Sequence, residues 1–419
     1  MAPKLEGAPL LPRHDDAAVL AKSKPSAHQE GSPFSAYLGL ATTMMGACIL
    51  TLPSTLEAVG VWFGLVVYVF VGWLAYQSFE MICVCCDATD EFSYEALSSR
   101  LFGATGVWVF RALTFVLLFG SIVMYMVITM DLFEPFLTGI MPRSSIGLLF
   151  TLVAIPLCLP ETIHELRYAN MLVLACIAYI VVALCVRTAG DDPDFVAHIQ
   201  PNPTNNFKSE IAATAYVLPI ISLSFACQLN VPRAYKEIHD KAAIRHVHQA
   251  LVGSGLFFYV SFAVLGYACF HGHPPSDILT GFRANDTIIN GARLCLGTSM
   301  IFKTPMSFQP LRQVLELCCL GHNRENLRFR LAITVVIMFL AYGLSLTSRD
   351  LGIVMSFIGA VAGNLLSITT PGLFLWEIMS NASFEHNSGY SRGRALFMVC
   401  TGVVFCVVSV MYLIYNAAS

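Results

Sequence analysis

About eleven apolar stretches, each close to the about 20 residues that a helix needs to cross a bilayer, follow one another along the chain with short polar links between them. Their limits are 34–59, 62–86, 106–130, 145–160, 168–187, 209–231, 247–271, 288–311, 328–347, 350–376 and 394–415. Only 12% of the residues are charged, about half the share usual in soluble domains. The pattern predicts an all-α integral membrane protein. Residues 1–33 are rich in Pro, Ser, His and mixed charge, lack the apolar core of a signal peptide, and read as a disordered tail ahead of a membrane domain over 34–419. The fourteen Cys show no zinc or disulfide spacing and read as small core hydrophobes.

Lys and Arg sort the links by side. With the N-terminus inside, sixteen of the 24 Lys and Arg fall in inside segments, five fall outside and three lie within spans. This places the N-terminus in the cytoplasm and, after eleven spans, the C-terminus outside or in a lumen. Asn285 begins an Asn-Asp-Thr sequon in a predicted outside loop, consistent with glycosylation there. In the tail, Glu6, Leu10 and Leu11 form an acidic dileucine pattern of the kind that sorting adaptors bind.

Two spans are interrupted. The first contains "MMGACILTLP", with Gly46 inside it and Pro53 just beyond; the sixth, "YVLPIISLSFACQLNVP", carries Pro219, Ser222, Ser224, Ala226 and Pro232. An unpaired backbone group costs several kcal/mol in lipid, so a break persists where it lines a cavity or binds something. Breaks five spans apart point to a transporter built from two inverted repeats, here 34–187 and 209–376, with 394–415 as an accessory helix. Half-helix N-termini favour an anion such as a carboxylate, and freed carbonyls favour a cation. Small residues that merely permit close helix packing are the competing reading of Gly46.

Several stretches together resemble the amino acid/auxin permease family: "MMGACILTLP", "FSYEALSSRLFGATG", "SFACQLNVPRAYKEI", "GYACFHGHPPSDILTGF" and "DLGIVMSFIGAVAGNLLSITTPGLFLW". The resemblance runs from about residue 34 to the C-terminus. It implies the fold of the bacterial leucine transporter and sodium- or proton-coupled movement of amino acids. It also implies a substrate held by backbone at Gly46, Ala47 and Cys48 and at Ser224, Phe225 and Ala226. Thr42, Thr43 and Met45 would lie near a coupling-ion site completed from the eighth span by Lys303 and Thr304.

Departures from the family pattern bear on mechanism. Cys48 stands where a second Gly is usual, Thr42 where sodium-coupled members often carry Asn, and Gln228 where many carry His. Lys303, in "LGTSMIFKTPMSFQPLR", falls where sodium-coupled relatives supply small hydroxyl ligands. A lysine at mid-span costs about 2.5–3.5 kcal/mol on insertion scales, so it faces a cavity or a partner. The expectation is an ammonium that substitutes for sodium, permanently or through a proton that comes and goes, with H+ favoured over Na+ as coupling ion and no other cofactor. A snorkelling or structurally paired lysine is the alternative.

The remaining charged positions read more plainly. Glu57, Glu80, Arg111, Asp131, Glu134 and Arg293 fall at predicted span ends as anchors or gate elements, and His271 and His273 as parts of a solvated loop. No paired carboxylates, His-Glu motif or Ser-His pair suggests an enzyme, and no selectivity-filter pattern suggests a channel. An amino acid sensor with little flux is the alternative to a transporter. The substrate partner is an amino acid, the surroundings are a bilayer, and nucleic acid has no place in the reading. The host membrane is expected to be plasma membrane, lysosome or vacuole.

Overall fold

A computed structural model describes residues 32–137, 139–159, 166–189, 210–238, 240–320, 327–347, 350–381 and 391–418. Glu6, Leu10 and Leu11 therefore lie outside the described residues. Helices form at every stretch that the hydropathy pattern picks out, and the described residues contain no β-strand.

The chain enters through α1 (Pro33–Met44), started by Ser32, whose hydroxyl accepts from the Ser35 N–H. A 3-10 turn (Ala47–Thr51) and α2 (Leu52–Val59) complete the first span, bent by 52° at its break. After α3 (Val61–Thr89), α4 (Tyr94–Leu137) joins a short helix to a spanning one. The joint is Gly103, at φ 63° and ψ −152°, where a side chain would be strained. Next come α5 (Arg143–Cys158) and α6 (Leu166–Ala189).

The sixth span is again two helices, α7 (Glu210–Ser224) and α8 (Val231–Glu237), separated by residues 225–227 and a 3-10 turn (Gln228–Asn230). Pro219 sits inside α7, and Pro232 occupies the first turn of α8, where its missing N–H costs little. Then follow α9 (Ala243–Cys269), a 3-10 turn (Ile278–Gly281), α10 (Thr287–Leu320) and α11 (Leu327–Ser345). The tenth span runs α12 (Leu351–Ile358), two π-turns (Gly359–Gly363 and Leu365–Thr369) and α13 (Thr370–Ser380); α14 (Arg392–Ala418) closes the chain.

Among the described residues seven helices are long and apolar enough to span, or eight with the bent first pair counted as one. The other three expected spans are also helical: α5 has 16 residues, the apolar part of α6 covers Ala175–Thr188, and α10 carries Arg293, Lys303, Arg312 and Glu316 along its 34. Such a helix can lie in a membrane only with its charges turned to protein. Accordingly Arg293, Lys303, Arg312 and Glu316 are all buried.

The π-turns are invisible in the hydropathy pattern. They lie where the tenth span meets α7: a Cβ on Gly359 would fall 2.2 Å from the Pro219 carbonyl oxygen. Asn364, between the turns, is buried with neither amide atom bonded in the described structure.

Candidate functional site

The two breaks meet at one phenol. Tyr259, on α9, places its hydroxyl 2.9 Å from the Met44 carbonyl at the end of α1 and 2.6 Å from the Ser224 carbonyl at the end of α7. A phenol has one hydrogen to donate, so at any moment one of these carbonyls is left for another donor. The ring of Phe225 crosses that of Tyr259 edge-on at 5.1 Å, and both side chains are buried. Tyr259 was not singled out by sequence reasoning, although a tyrosine inside "FFYVSF" needs a hydroxyl partner in an apolar span.

Met45 and Gly46 link α1 to the 3-10 turn, whose first two residues are Ala47 and Cys48. The Gly46 N–H makes no backbone hydrogen bond among the described residues, the Cys48 N–H faces its own sulfur, Met45 N–H returns to Ala41 (2.7 Å), and Ile49 N–H returns to Gly46 (3.4 Å). The break thus presents backbone N–H groups at the positive end of a helical segment. Gly46 has φ −119° and ψ −161°, an extended conformation open to any residue, so space rather than backbone freedom gives it its role.

Lys303 occupies that space. Its ammonium would lie 3.6 Å from a Cβ at Gly46, near the middle of α10, and the side chain is 6% exposed. Lys303 has neither hydrogen bond nor ion pair among the described residues, and it lies within electrostatic reach of the buried Cys48 thiol. Thr304 turns its hydroxyl to the Met300 carbonyl of its own helix (2.9 Å). On the same side, Tyr125 of α4 and Ser307 of α10 share a hydrogen bond.

The structure therefore brings Gly46, Cys48 and Lys303 together, and joins Met44 to Ser224 and Phe225 through Tyr259. Thr42 is buried and Thr43 exposed; both hydroxyls donate to the Gly39 carbonyl at 3.0 Å, and Thr43 also accepts from Asn230 Nδ2 (3.2 Å). Thr43 thus ties α1 to the turn that follows the second break. Met45 is buried, Ala226 half-buried, and Ala47 opens the 3-10 turn. Gln228 folds its amide oxygen back onto the Cys227 N–H at 2.9 Å.

Space at Gly46 gives a direct test. Gly46→Ala keeps an ordinary contact with Lys303 and should retain fold and uptake. Gly46→Leu overpacks the break and should lose uptake more than about tenfold, checked by uptake into vesicles, at a stability cost of about 1–3 kcal/mol.

Beyond this centre a polar network covers one end of the bundle. The 3-10 turn Ile278–Gly281 is capped by Asp277, which accepts from the Leu279 N–H at 2.9 Å. Arg293, 1% exposed, donates to the carbonyls of Leu279 and Phe282, each at 2.7 Å. It is a buried clamp on the turn rather than an interfacial anchor. Arg143 at the start of α5 pairs with Asp131 and, at 3.4 Å, with Glu134. His273 bonds Glu57 at 3.0 Å, and Asn285 is exposed in the loop before α10.

Burial pushes the Asp277 carboxyl up from its ordinary 3.8 to about 7, against the opposing pull of the Leu279 N–H and of Arg293 and Arg143. Protonated Asp277 therefore favours the folded state, and this contribution is fully present below pH 3.8 and lost as pH rises through about 7. Asp277→Asn keeps the capping oxygen without a titrating group. Its thermal unfolding should match the wild-type protein in acid and exceed it above neutrality; parallel curves would contradict the assignment.

Comparison with known proteins follows the same lines. The family model described as transmembrane amino acid transporter protein matches residues 29–415. Vacuolar amino acid transporter 2 of Saccharomyces cerevisiae is 23% identical over 408 residues, 92% of this chain and 83% of that protein. Sodium-coupled neutral amino acid transporter 7 of Xenopus laevis is 24% identical over 385 residues, 85% of this chain and 83% of that protein. Among solved structures, a manganese transporter of Eremococcus coleocola superposes with a TM-score of 0.55 at 12% identity, covering 92% of this chain and 86% of its own. The shared fold agrees with the leucine-transporter-like architecture that the broken first and sixth spans imply.

Proposed function

The chain belongs to the transmembrane amino acid transporter family, and from that premise we propose that it is a secondary active transporter moving amino acids by alternating access around the two breaks. The observation that carries this reading is that the ends of the two broken spans, the carbonyls of Met44 and Ser224, meet at the Tyr259 hydroxyl, with the Lys303 ammonium beside Gly46 in the first break. An amino acid zwitterion matches the arrangement: its carboxylate suits the N–H groups of Gly46, Ala47 and Cys48, and its ammonium suits the carbonyl that Tyr259 leaves open. Phe225 and Ala226 border the same break, so side-chain size is read there and at Cys48.

Lys303 takes the position of a coupling cation. Its ammonium beside the first break supplies the positive charge that a bound sodium would supply in sodium-coupled relatives. Transport is then independent of sodium, and H+ is the favoured coupling ion. Thr42, Thr43, Met45 and Thr304 frame this region. The N-terminus faces the cytoplasm and the C-terminus the outside or a lumen, which leaves Asn285 on the glycosylated side. The vacuolar names among the relatives favour an internal membrane, reached through adaptors at Glu6, Leu10 and Leu11.

The purified protein in lipid vesicles, offered a panel of labelled common amino acids, tests the reading. Saturable uptake with mutual competition among a subset supports a transporter. Saturable binding without flux supports a sensor and overturns the proposal.

A further inference from the structure

Glu80 and His248 carry an inference that rests on the proton-coupled reading above. Glu80 lies in α3 between two and three turns from its end at Thr89, and His248 lies in α9 shortly after its start at Ala243. His248 is completely buried, with Nδ1 2.7 Å from Glu80 Oε1; the Glu80 side chain is 17% exposed. His248 Nε2 is also buried and has no hydrogen-bond partner. The Phe79 ring covers the imidazole at 5.4 Å. Glu80, expected at an interface, is instead paired inside the bundle.

Proton bookkeeping singles out one atom. An ionised Glu80 takes the hydrogen on Nδ1, which leaves Nε2 as a bare lone pair. The pair then holds one net negative charge in apolar surroundings. A proton arriving at Nε2 converts it to an imidazolium–carboxylate pair with no net charge, a form better suited to a low-dielectric site. Acid and histidine side chains paired within a membrane domain are the usual material of proton relays.

Neighbouring ionisable groups have other engagements. On α3, Tyr76 accepts from Arg245 (3.3 Å), Asp87 accepts from Tyr235 of α8 (2.7 Å), and Cys83 is a buried thiol. Lys241 donates to the Tyr235 carbonyl. Tyr37 of α1 donates to Ser254 (3.0 Å), Glu57 at the end of α2 holds His273, and Arg187 of α6 holds Asp286 (2.6 Å). His246 and Asp240 line an open groove beside α1; Glu377 of α13 is half-buried, and Arg394 of α14 borders a second groove with Gln77 and Met81.

The pair also connects to the breaks. Eleven residues, three helical turns, separate His248 from Tyr259, so both project from one face of α9 about 16 Å apart along its axis. Gly255 lies between them on that face, where a Cβ would fall 2.6 Å from Met44 Cε. A change of charge between α3 and α9 therefore acts on the helix that clasps Met44 and Ser224. We propose that Glu80–His248 is the site that takes up and releases the coupling proton, which adds to His248 Nε2 from one side of the membrane and leaves the same nitrogen toward the other.

The test uses the full chain in vesicles with an internal pH dye, offered an equimolar mixture of the common amino acids adjusted to the bath pH. Wild-type protein should acidify the vesicle when amino acids are added and, for one coupled proton, accumulate them about tenfold across one pH unit. His248→Gln and Glu80→Gln should lose both effects yet keep exchange of internal for external amino acids, which also reports folding. Should either fail to exchange, Glu80→Asp, which retains the carboxylate, should restore proton movement. Wild-type proton movement retained in His248→Gln would overturn this site and leave proton coupling standing. Absence of amino-acid-evoked proton movement in the wild-type protein would overturn the coupling reading and the site with it.

Discussion

Lys303→Met is expected to raise thermal stability while lowering gradient-driven amino acid uptake by about a hundredfold or more, a loss of about 2.7 kcal/mol in the transport step. The two effects have one origin. Lys303 is 6% exposed at mid-helix, and its ammonium has no ion pair or hydrogen bond among the described residues. Desolvation of that charge is therefore uncompensated in the protein alone, and insertion scales bound the gain on removing it at about 2.5–3.5 kcal/mol. A structurally paired lysine predicts the opposite sign, since breaking a buried pair strands its partner. Methionine keeps the stem volume, so packing beside Gly46 is preserved. Thermal unfolding of the purified variant and uptake into vesicles separate the outcomes: lower stability with uptake intact would remove Lys303 from the coupling site.

Tyr259→Phe is expected to weaken uptake by about 5- to 150-fold, the equivalent of about 1–3 kcal/mol for leaving a buried polar group unmatched. The substitution removes one hydroxyl and leaves the ring against Phe225. Met44 and Ser224 then both lose their shared donor at the ends of the two broken spans. If the substrate ammonium takes the carbonyl that Tyr259 leaves open, the loss appears as weaker half-saturation and as a slower maximal rate, because the clasp between the breaks is gone. A variant with unchanged uptake would show that the phenol is only a packing element.

Much of this was legible in the sequence because membranes impose a simple rule. A spanning segment must be apolar and helical, so length and hydropathy found each helix, although α4 and α10 run seven and nine residues past the expected ends at 130 and 311. Both breaks were legible for the same reason: Gly46 with Pro53, and Ser222 to Ala226 with Pro232, are poor choices for an uninterrupted span. Lys303 stood out as a charge at mid-span. The helix pairings did not show, because they depend on which faces meet. Nothing in "SFEMIC" announces that Glu80 will find His248, some 168 positions later in the chain. The π-turns around Asn364 depend on the close approach of Gly359 to Pro219, and Arg293 became a clamp only because the 3-10 turn folds over it. Hydropathy reports the environment of a residue, and partners need the fold.

The central claim is that Lys303 replaces a sodium ion in an amino acid transporter. Vesicles containing the full-length protein can be given a sodium gradient at equal pH, or a pH gradient in sodium-free buffer, and followed for uptake of the amino acid selected by competition. The account predicts accumulation under the pH gradient without sodium and no added accumulation from the sodium gradient. Uptake that requires sodium, and is indifferent to the pH gradient, would contradict it.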